Sequence, residues 1–110
     1  MTENQDIRVR VLISGNVQFV NFRAFTKENA EDLKLTGWVQ NLDGINKADD
    51  KMRLVEAVFQ GTPENVAEML CRCKKGNSGS GETEVKVLHK YPVKDNENSF
   101  ELNMDVIKGD

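Results

Sequence analysis

The sequence predicts a small α+β sandwich in which two helices cover one face of a mostly antiparallel sheet. Three observations lead to this class: an alternating apolar pattern near the start, two amphipathic helical patterns, and two strand patterns between those helices. The chain has 110 residues, enough for one hydrophobic core and too few to divide comfortably into two. We therefore expect a single domain over residues 1–110, with flexible ends at 1–6 and 104–110.

A change of period predicts the first strand and the first helix. From Ile7 to Ser14, apolar residues alternate mainly with polar ones, as in a strand with one buried face. The alternation stops over residues 15–21. From Phe22 to Lys34, apolar residues recur near helical spacing, with charged residues on the other side. A strand, a loop and a helix therefore open the chain.

Two strands joined by a long hairpin loop are predicted next. Thr36 to Leu42 includes Trp38, a side chain large enough to anchor one edge of the core. Met52 to Gln60 is a second apolar strand. Asp43-Gly44 is a turn signal, and the polar run Ile45 to Lys51 makes the connection longer than a two-residue turn. This run either covers one side of the sheet as a lid or, as we expect, is a mobile surface insertion.

The second helix has distinct start and stop signals. Thr62-Pro63-Glu64 combines a hydroxyl cap, a proline at the first helical position and an acid near the positive end of the dipole. Lys74-Lys75-Gly76 ends the helix with cations and with a glycine suited to a left-handed conformation. The apolar stripe of this helix consists of Val66, Met69, Leu70 and Cys73.

A linker and two further strands complete the chain. Residues 77–81 are rich in Gly and Ser and are expected to be flexible. Glu84 to Val93 and Ser99 to Asn103 are predicted strands. The order is therefore β-α-β-β-α-β with a short strand added, and right-handed crossovers place both helices on one face. This is the ferredoxin-like α/β sandwich, a fold that hosts many unrelated functions.

Composition and charge argue against several classes of protein. The 18 acidic and 15 basic residues give a net charge of −3, so no global field attracts nucleic acid, and the third strand lacks the aromatic block of RNA-binding sheets. No apolar run approaches the roughly 18 to 20 residues of a membrane span, and the first residues do not resemble a signal peptide. Cys71 and Cys73 point about 200° apart on a helix and cannot pair. We expect a cytoplasmic monomer.

The segment between the first strand and the first helix is the candidate site. We call residues 15–22 the cradle loop, because backbone N–H groups at a helix start lack helical partners and favour an anion. Arg23 follows and adds bidentate donors that stay charged at any working pH. The nucleotide and dinucleotide glycine patterns are absent, so the loop suits one phosphoryl group. Its residues are Gly15, Asn16, Val17, Gln18, Phe19, Val20, Asn21 and Phe22.

Two linked motifs resemble the acylphosphatase family. The family pattern G-x-V-Q-G-V-x-F-R corresponds to Gly15 to Arg23, and G-W-V-x-N corresponds to Gly37 to Asn41, at compatible spacing. Asp43-Gly44 also fits, and the match extends less sharply over Val9 to Leu102. The resemblance implies hydrolysis of acyl phosphates to a carboxylate and inorganic phosphate without metal or cofactor. It also implies that Arg23 binds the phosphate and that Asn41 orients the attacking water.

One position of the loop departs from the family pattern. Phe19 stands where the family has its second loop glycine. If this residue needs φ > 0, a non-glycine side chain costs roughly 1 to 2 kcal/mol, and the benzyl group can crowd an anion. The alternative function is therefore a catalytically impaired module that binds anions without turnover, and a turnover assay separates the two.

The remaining aromatic and metal-ligand residue types are expected to have structural roles. His89 is the sole histidine and lies in a predicted strand without Cys, Asp or Glu at ligand spacing, so we assign it no role. Cys73 is expected in the core. The aromatic residues expected in the core are Trp38, Phe22 and Phe25.

Overall fold

The computed structural model describes residues 5–17, 21–45 and 51–103. Its elements, in chain order, are β1 (Ile7–Ser14), α1 (Phe22–Asp32), β2 (Thr36–Ile45), β3 (Lys51–Gly61), α2 (Pro63–Lys75), β4 (Glu84–Tyr91) and β5 (Phe100–Leu102). The predicted order of elements is therefore confirmed, including the short final strand. Within these ranges, neither helix is long and apolar enough to cross a membrane.

The strands form one sheet in the order β4-β1-β3-β2-β5. β1 pairs antiparallel with β3 and β4, and β2 pairs antiparallel with β3. β5 is the exception because it runs parallel to β2. With both helices packed against this sheet, the fold is the predicted ferredoxin-like sandwich.

The alternation of β1 determines which face of the sheet is covered. Val9, Val11 and Ile13 are at most 3% exposed, and their partners across β3 are also buried. Buried residues of both helices belong to the same core cluster, so both helices lie on this face, which we call the helix side. The helical members of the cluster are Phe22, Ala30, Val66, Met69 and Cys73.

The opposite face of the sheet, which we call the open side, carries Trp38. In the register of β2, Gly37 and Val39 point to the helix side and the residue between them points away. Trp38 is half-buried there, opposite Val58. Its predicted place in the core was wrong because one position of alternation decides the face. Phe22 is buried as expected, and Phe25 packs at the edge of the core.

The hairpin between β2 and β3 is longer than predicted. β2 continues through Asp43-Gly44 to Ile45, and Ile45 pairs with Lys51 at the start of β3. The turn predicted at Asp43-Gly44 was therefore wrong, because pairing with β3 satisfies the backbone groups of these residues in an extended conformation. Residues 46–50, which remain of the predicted loop, lie outside the described residues.

Residues 77–81 form an ordered turn, which we call the connector turn. The side-chain oxygen Oδ1 of Asn77 accepts hydrogen bonds from the N–H groups of Gly79 at 3.0 Å and Ser80 at 2.8 Å. The N–H of Gly81 donates to the carbonyl of Asn77 at 3.0 Å. The prediction of a flexible linker was wrong, because one asparagine side chain supplies the hydrogen bonds that order the segment.

The helix ends follow local signals. Thr62 Oγ1 accepts from the N–H of Asn65 at 3.1 Å, and Gly76 closes α2 with φ 74°. α1 ends at Asp32, two residues earlier than predicted, and Lys34 has a left-handed φ of 58°. β4 ends at Tyr91, just before Pro92, which has no N–H to continue the ladder.

Candidate active site

The two predicted catalytic side chains come from neighbouring elements. Arg23 is the second residue of α1, and α1 packs against β2. Asn41 lies on β2 opposite the buried Val55, which places it on the helix side of the sheet. Both side chains are half-buried. The fold therefore brings a cation and an amide from two adjacent elements to the same face.

The guanidinium of Arg23 is anchored by the end of the last strand. Its Nη1 donates to the carbonyl oxygen of Asn103 at 2.7 Å. The N–H of Asn103 in turn donates to the carbonyl of Val39 at 2.8 Å, so Asn103 continues the ladder between β5 and β2. A guanidinium has five N–H donors, and this bond occupies one of them. The sheet thus holds one end of the arginine head group.

The described part of the cradle loop is tied down on both sides. Val17 and Phe22 are 1% exposed and pack into the core. The N–H of Val17 donates within the loop, to the carbonyl of Gly15 at 3.0 Å. Asn21 is left-handed with φ 58°, and its carbonyl accepts from the N–H of Phe25 at 3.0 Å. Gln18, Phe19 and Val20 lie outside the described residues.

The start of α1 differs from the start of α2. Asn21 stands at the N-cap of α1, where its side chain makes no capping hydrogen bond, and the first turn has no acidic residue. α2 has both, in Thr62 and Glu64. First-turn N–H groups lack helical acceptors and lie at the positive end of the dipole. The N-terminus of α1 is therefore suited to an external anion beside Arg23.

The match to a family model identifies the family. The acylphosphatase model matches residues 9–102, which include both motifs and all five strands except the first two residues of β1. The chain belongs to the acylphosphatase family. It is accordingly a hydrolase of the class that acts on acid anhydrides.

Individual relatives agree with this family assignment. An acylphosphatase from Haloarcula marismortui is 40% identical over 85 residues, which are 77% of this chain and 85% of the relative. An acylphosphatase from Syntrophobacter fumaroxidans is 47% identical over 81 residues, covering 73% and 74% of the two chains. The solved acylphosphatase of Coxiella burnetii superimposes with a TM-score of 0.75 at 28% identity, covering 94% of this chain and 100% of that one.

The cysteine pair of this acylphosphatase-family chain lies apart from the site. Cys73 is buried in the core, and burial raises the pKa of its thiol to about 12. Cys71 is exposed. In the described part of the chain, no group of three or more His, Cys, Asp or Glu side chains is arranged to hold a metal ion. His89 is exposed and pairs with Arg10 across β1 and β4, and its ring is tilted by 48° to that of Tyr91 at a centroid distance of 4.7 Å.

Two features around the site were not predicted from the sequence. The acceptor that holds Arg23 is the main-chain carbonyl of Asn103, and a main-chain group has no sequence signal. The connector turn lies beside the cradle loop, where Asn16 Nδ2 donates to the carbonyl of Gly79 at 3.1 Å. The order Asn77-Ser78-Gly79 is a turn signal, but nothing local indicates that the turn meets residues more than 60 positions earlier.

Proposed function

We propose that this chain hydrolyses acyl phosphates to a carboxylate and inorganic phosphate. The observation that carries the proposal is the start of α1 beside Arg23, where the N-cap residue Asn21 makes no side-chain capping hydrogen bond, with Asn41 on the same side of the sheet. The names of the relatives, which are acylphosphatases, support the same reaction. The substrate partner in this proposal is a small acyl phosphate.

In this proposal, phosphate binding falls to the cradle loop and Arg23. Backbone N–H groups at the start of α1 donate to the phosphoryl oxygens, and the guanidinium adds a fixed positive charge. The bond from Arg23 to the Asn103 carbonyl supports this role, because it restricts the side chain before substrate arrives. Stabilising charge on the transferred group is the main task of a protein in phosphoryl transfer.

Asn41 orients the attacking water in this proposal. An amide accepts a hydrogen bond from water through its oxygen and donates one to a phosphoryl oxygen through its nitrogen. It does so without placing a negative charge beside the anion. The water oxygen bonds to phosphorus, the bond from phosphorus to the acyl oxygen breaks, and the carboxylate leaves with the electron pair. The water proton passes to a phosphate oxygen or to solvent, so no strong general base is needed.

Hydrolysis of benzoyl phosphate, followed by ultraviolet absorbance with EDTA present, tests this proposal. We expect rapid turnover by the wild type and a loss of about 100-fold or more in kcat/KM for both Arg23→Ala and Asn41→Ala. Asn41→Asp should also lose most of its kcat/KM, because a carboxylate repels the phosphate.

Lys27→Ala is the matched control for Arg23→Ala. Lys27 lies one helical turn after Arg23 and also donates from α1 to a carbonyl of the last strand, that of Phe100 at 2.9 Å. Removing it therefore tests the loss of one contact between α1 and β5 without touching the cradle. We expect its kcat/KM to stay within about 3-fold of the wild type. A loss equal to that of Arg23→Ala would contradict a direct role for Arg23.

A wild type no faster than buffer would contradict the proposed enzyme. The second candidate, an impaired anion-binding module, is favoured by Phe19 at the glycine position of the family pattern. In that case Phe19→Gly should restore turnover, because it removes the benzyl group and permits φ > 0. A wild type with full activity would instead exclude the impaired module.

A further inference from the structure

The connector turn lies against the start of the cradle loop. Asn16 donates from Nδ2 to the carbonyl oxygen of Gly79 at 3.1 Å. Gly15 lies beside Thr83, whose Cα would be 3.7 Å from a Cβ placed on the glycine. Two consecutive residues of the loop therefore adjoin the segment that joins α2 to β4.

The carbonyl that Asn16 reaches belongs to a turn with its own network of hydrogen bonds. Asn77 Oδ1 accepts hydrogen bonds from the N–H groups of both Gly79 and Ser80. The hydroxyl of Ser80 accepts from the N–H of Asn77 at 2.9 Å and donates to the carbonyl of Gly81 at 2.7 Å. The Gly79–Ser80 peptide group, which carries the acceptor for Asn16, is therefore held in one orientation.

The turn is itself fixed to the end of α2. Thr83 donates from its N–H to the carbonyl of Lys74 at 2.9 Å and from Oγ1 to the carbonyl of Cys73 at 2.7 Å. A Cβ on Gly76 would lie 1.9 Å from the carbonyl oxygen of Gly81, so the two ends of this segment pack too closely for a side chain at Gly76. A continuous set of contacts thus runs from the C-terminal end of α2, where Cys73 is buried in the core, to the first residues of the loop.

We infer that the connector turn is a positioning element of the phosphate site: Asn77 orients the Gly79 carbonyl, which fixes Asn16 and so holds the start of the cradle loop. Asn77 is thus a positioning residue that acts through Gly79 and Asn16. A loop already held in its binding conformation loses less conformational freedom when the anion binds, which strengthens binding. The inference rests on the proposed function, because its effect is expected at the phosphate site.

Binding of inorganic phosphate by calorimetry, together with KM and kcat for benzoyl phosphate, tests the inference in a set of variants. The bond from Asn16 to Gly79 is exposed, so its loss should barely change the melting temperature. We expect Asn16→Ala and Asn77→Ala each to raise the Kd of phosphate and the KM by about 3- to 10-fold, with kcat changed less than KM. If the two residues act in one chain of contacts, the Kd of phosphate for the double variant should be no higher than the higher Kd of the two single variants.

Two further variants separate positioning from general stability. Asn77→Asp keeps an oxygen acceptor for both N–H groups, and high salt screens the charge that it adds. At high salt, the Kd of phosphate for this variant should therefore lie within about 2-fold of the wild-type value at the same salt. Ser78→Ala changes an exposed neighbour in the same turn and should leave Kd unchanged. If Asn77→Ala does not fold, Asn16→Ala alone decides, because its side chain is on the surface.

Unchanged Kd in Asn16→Ala, or additive losses in the double variant, would overturn the inference and leave the proposed function intact. A wild type that binds phosphate but does not turn over benzoyl phosphate would contradict only the proposed function, since the Kd series still measures positioning. A wild type that binds no phosphate would overturn both.

Discussion

Arg23 and Lys27 lie one turn apart on α1 and both donate to main-chain carbonyls at the last strand. The distances are 2.7 Å to Asn103 and 2.9 Å to Phe100. Acceptors of an edge strand must find partners outside the sheet, and these two cations supply them. A residue proposed for phosphate binding therefore also has a structural contact, and its variants need a measurement of stability beside the rate.

At the same scale, the two cysteines should differ sharply in reactivity. Only the thiolate reacts fast, and burial both raises the pKa of Cys73 to about 12 and blocks access to it. Cys71 is exposed. With a disulfide reagent near pH 8, we expect one reacting thiol in the native protein and two after unfolding in urea.

Cys71→Ser is the control for this measurement. It should abolish the reaction of the native protein and lower the thiol count of the unfolded chain from two to one. Two fast thiols in the native wild type would contradict the buried position of Cys73.

At the scale of the elements, the pairing of β2 with β3 depends on Gly37. This residue has φ +131°, and a Cβ placed on it would lie 1.9 Å from the carbonyl oxygen of Val58. A side chain there cannot be accommodated unless the two strands separate. We expect Gly37→Ala to lower the free energy of unfolding by about 3 kcal/mol or more, as measured by urea unfolding.

Gly81→Ala provides a comparison at another positive φ. Gly81 has φ +64°, and a Cβ placed on it would meet nothing within 4 Å. Only the backbone conformation is therefore penalised, at about 1 kcal/mol. If the two glycine variants lost similar amounts of unfolding free energy, the close approach of β3 would not be the reason that position 37 needs a glycine.

At the scale of the whole molecule, a largely buried ion pair ties the segment before β5 to the first strand. Arg8 Nη1 lies 2.6 Å from Glu97 Oε1, with the two side chains 8% and 14% exposed. Arg8 also donates to Gln60 Oε1 at 3.1 Å, and Gln60 exchanges two hydrogen bonds with the backbone of Lys94. The connection between β4 and β5 is therefore held across the open side of β1 and β3.

Glu97→Ala should lower the free energy of unfolding by about 2 to 3 kcal/mol, because it leaves the Arg8 charge largely buried without its carboxylate. Glu31→Ala breaks an exposed ion pair, in which the Glu31 side chain is 54% exposed and that of Lys27 is 37% exposed. This change should lower the free energy of unfolding by no more than about 0.5 kcal/mol. Urea unfolding of both variants measures the difference. Equal losses would contradict a special contribution from the buried pair.

Signals that act within a few residues were sufficient to predict several elements from the sequence. The Thr62-Pro63-Glu64 start and the Gly76 end define α2, and the alternation of Ile7 to Ser14 defines β1. Cap, dipole and periodicity depend on neighbours along the chain. The family and its two motifs were likewise recognised from the sequence, and the family is confirmed. The roles of Arg23 and Asn41, a monomeric state and a cytoplasmic location stay predictions.

Contacts between distant residues decided the rest. Asp43-Gly44 has the composition of a turn, yet β3 pairs with it and keeps it extended. Trp38 is large and apolar, yet the register of β2 turns it to the open side. The carbonyl that holds Arg23 and the turn that meets Asn16 come from positions 80 and 63 residues further along. Each outcome depends on a hydrogen-bonding partner that only the folded chain brings near, because such partners satisfy backbone groups that local preference would leave to another conformation.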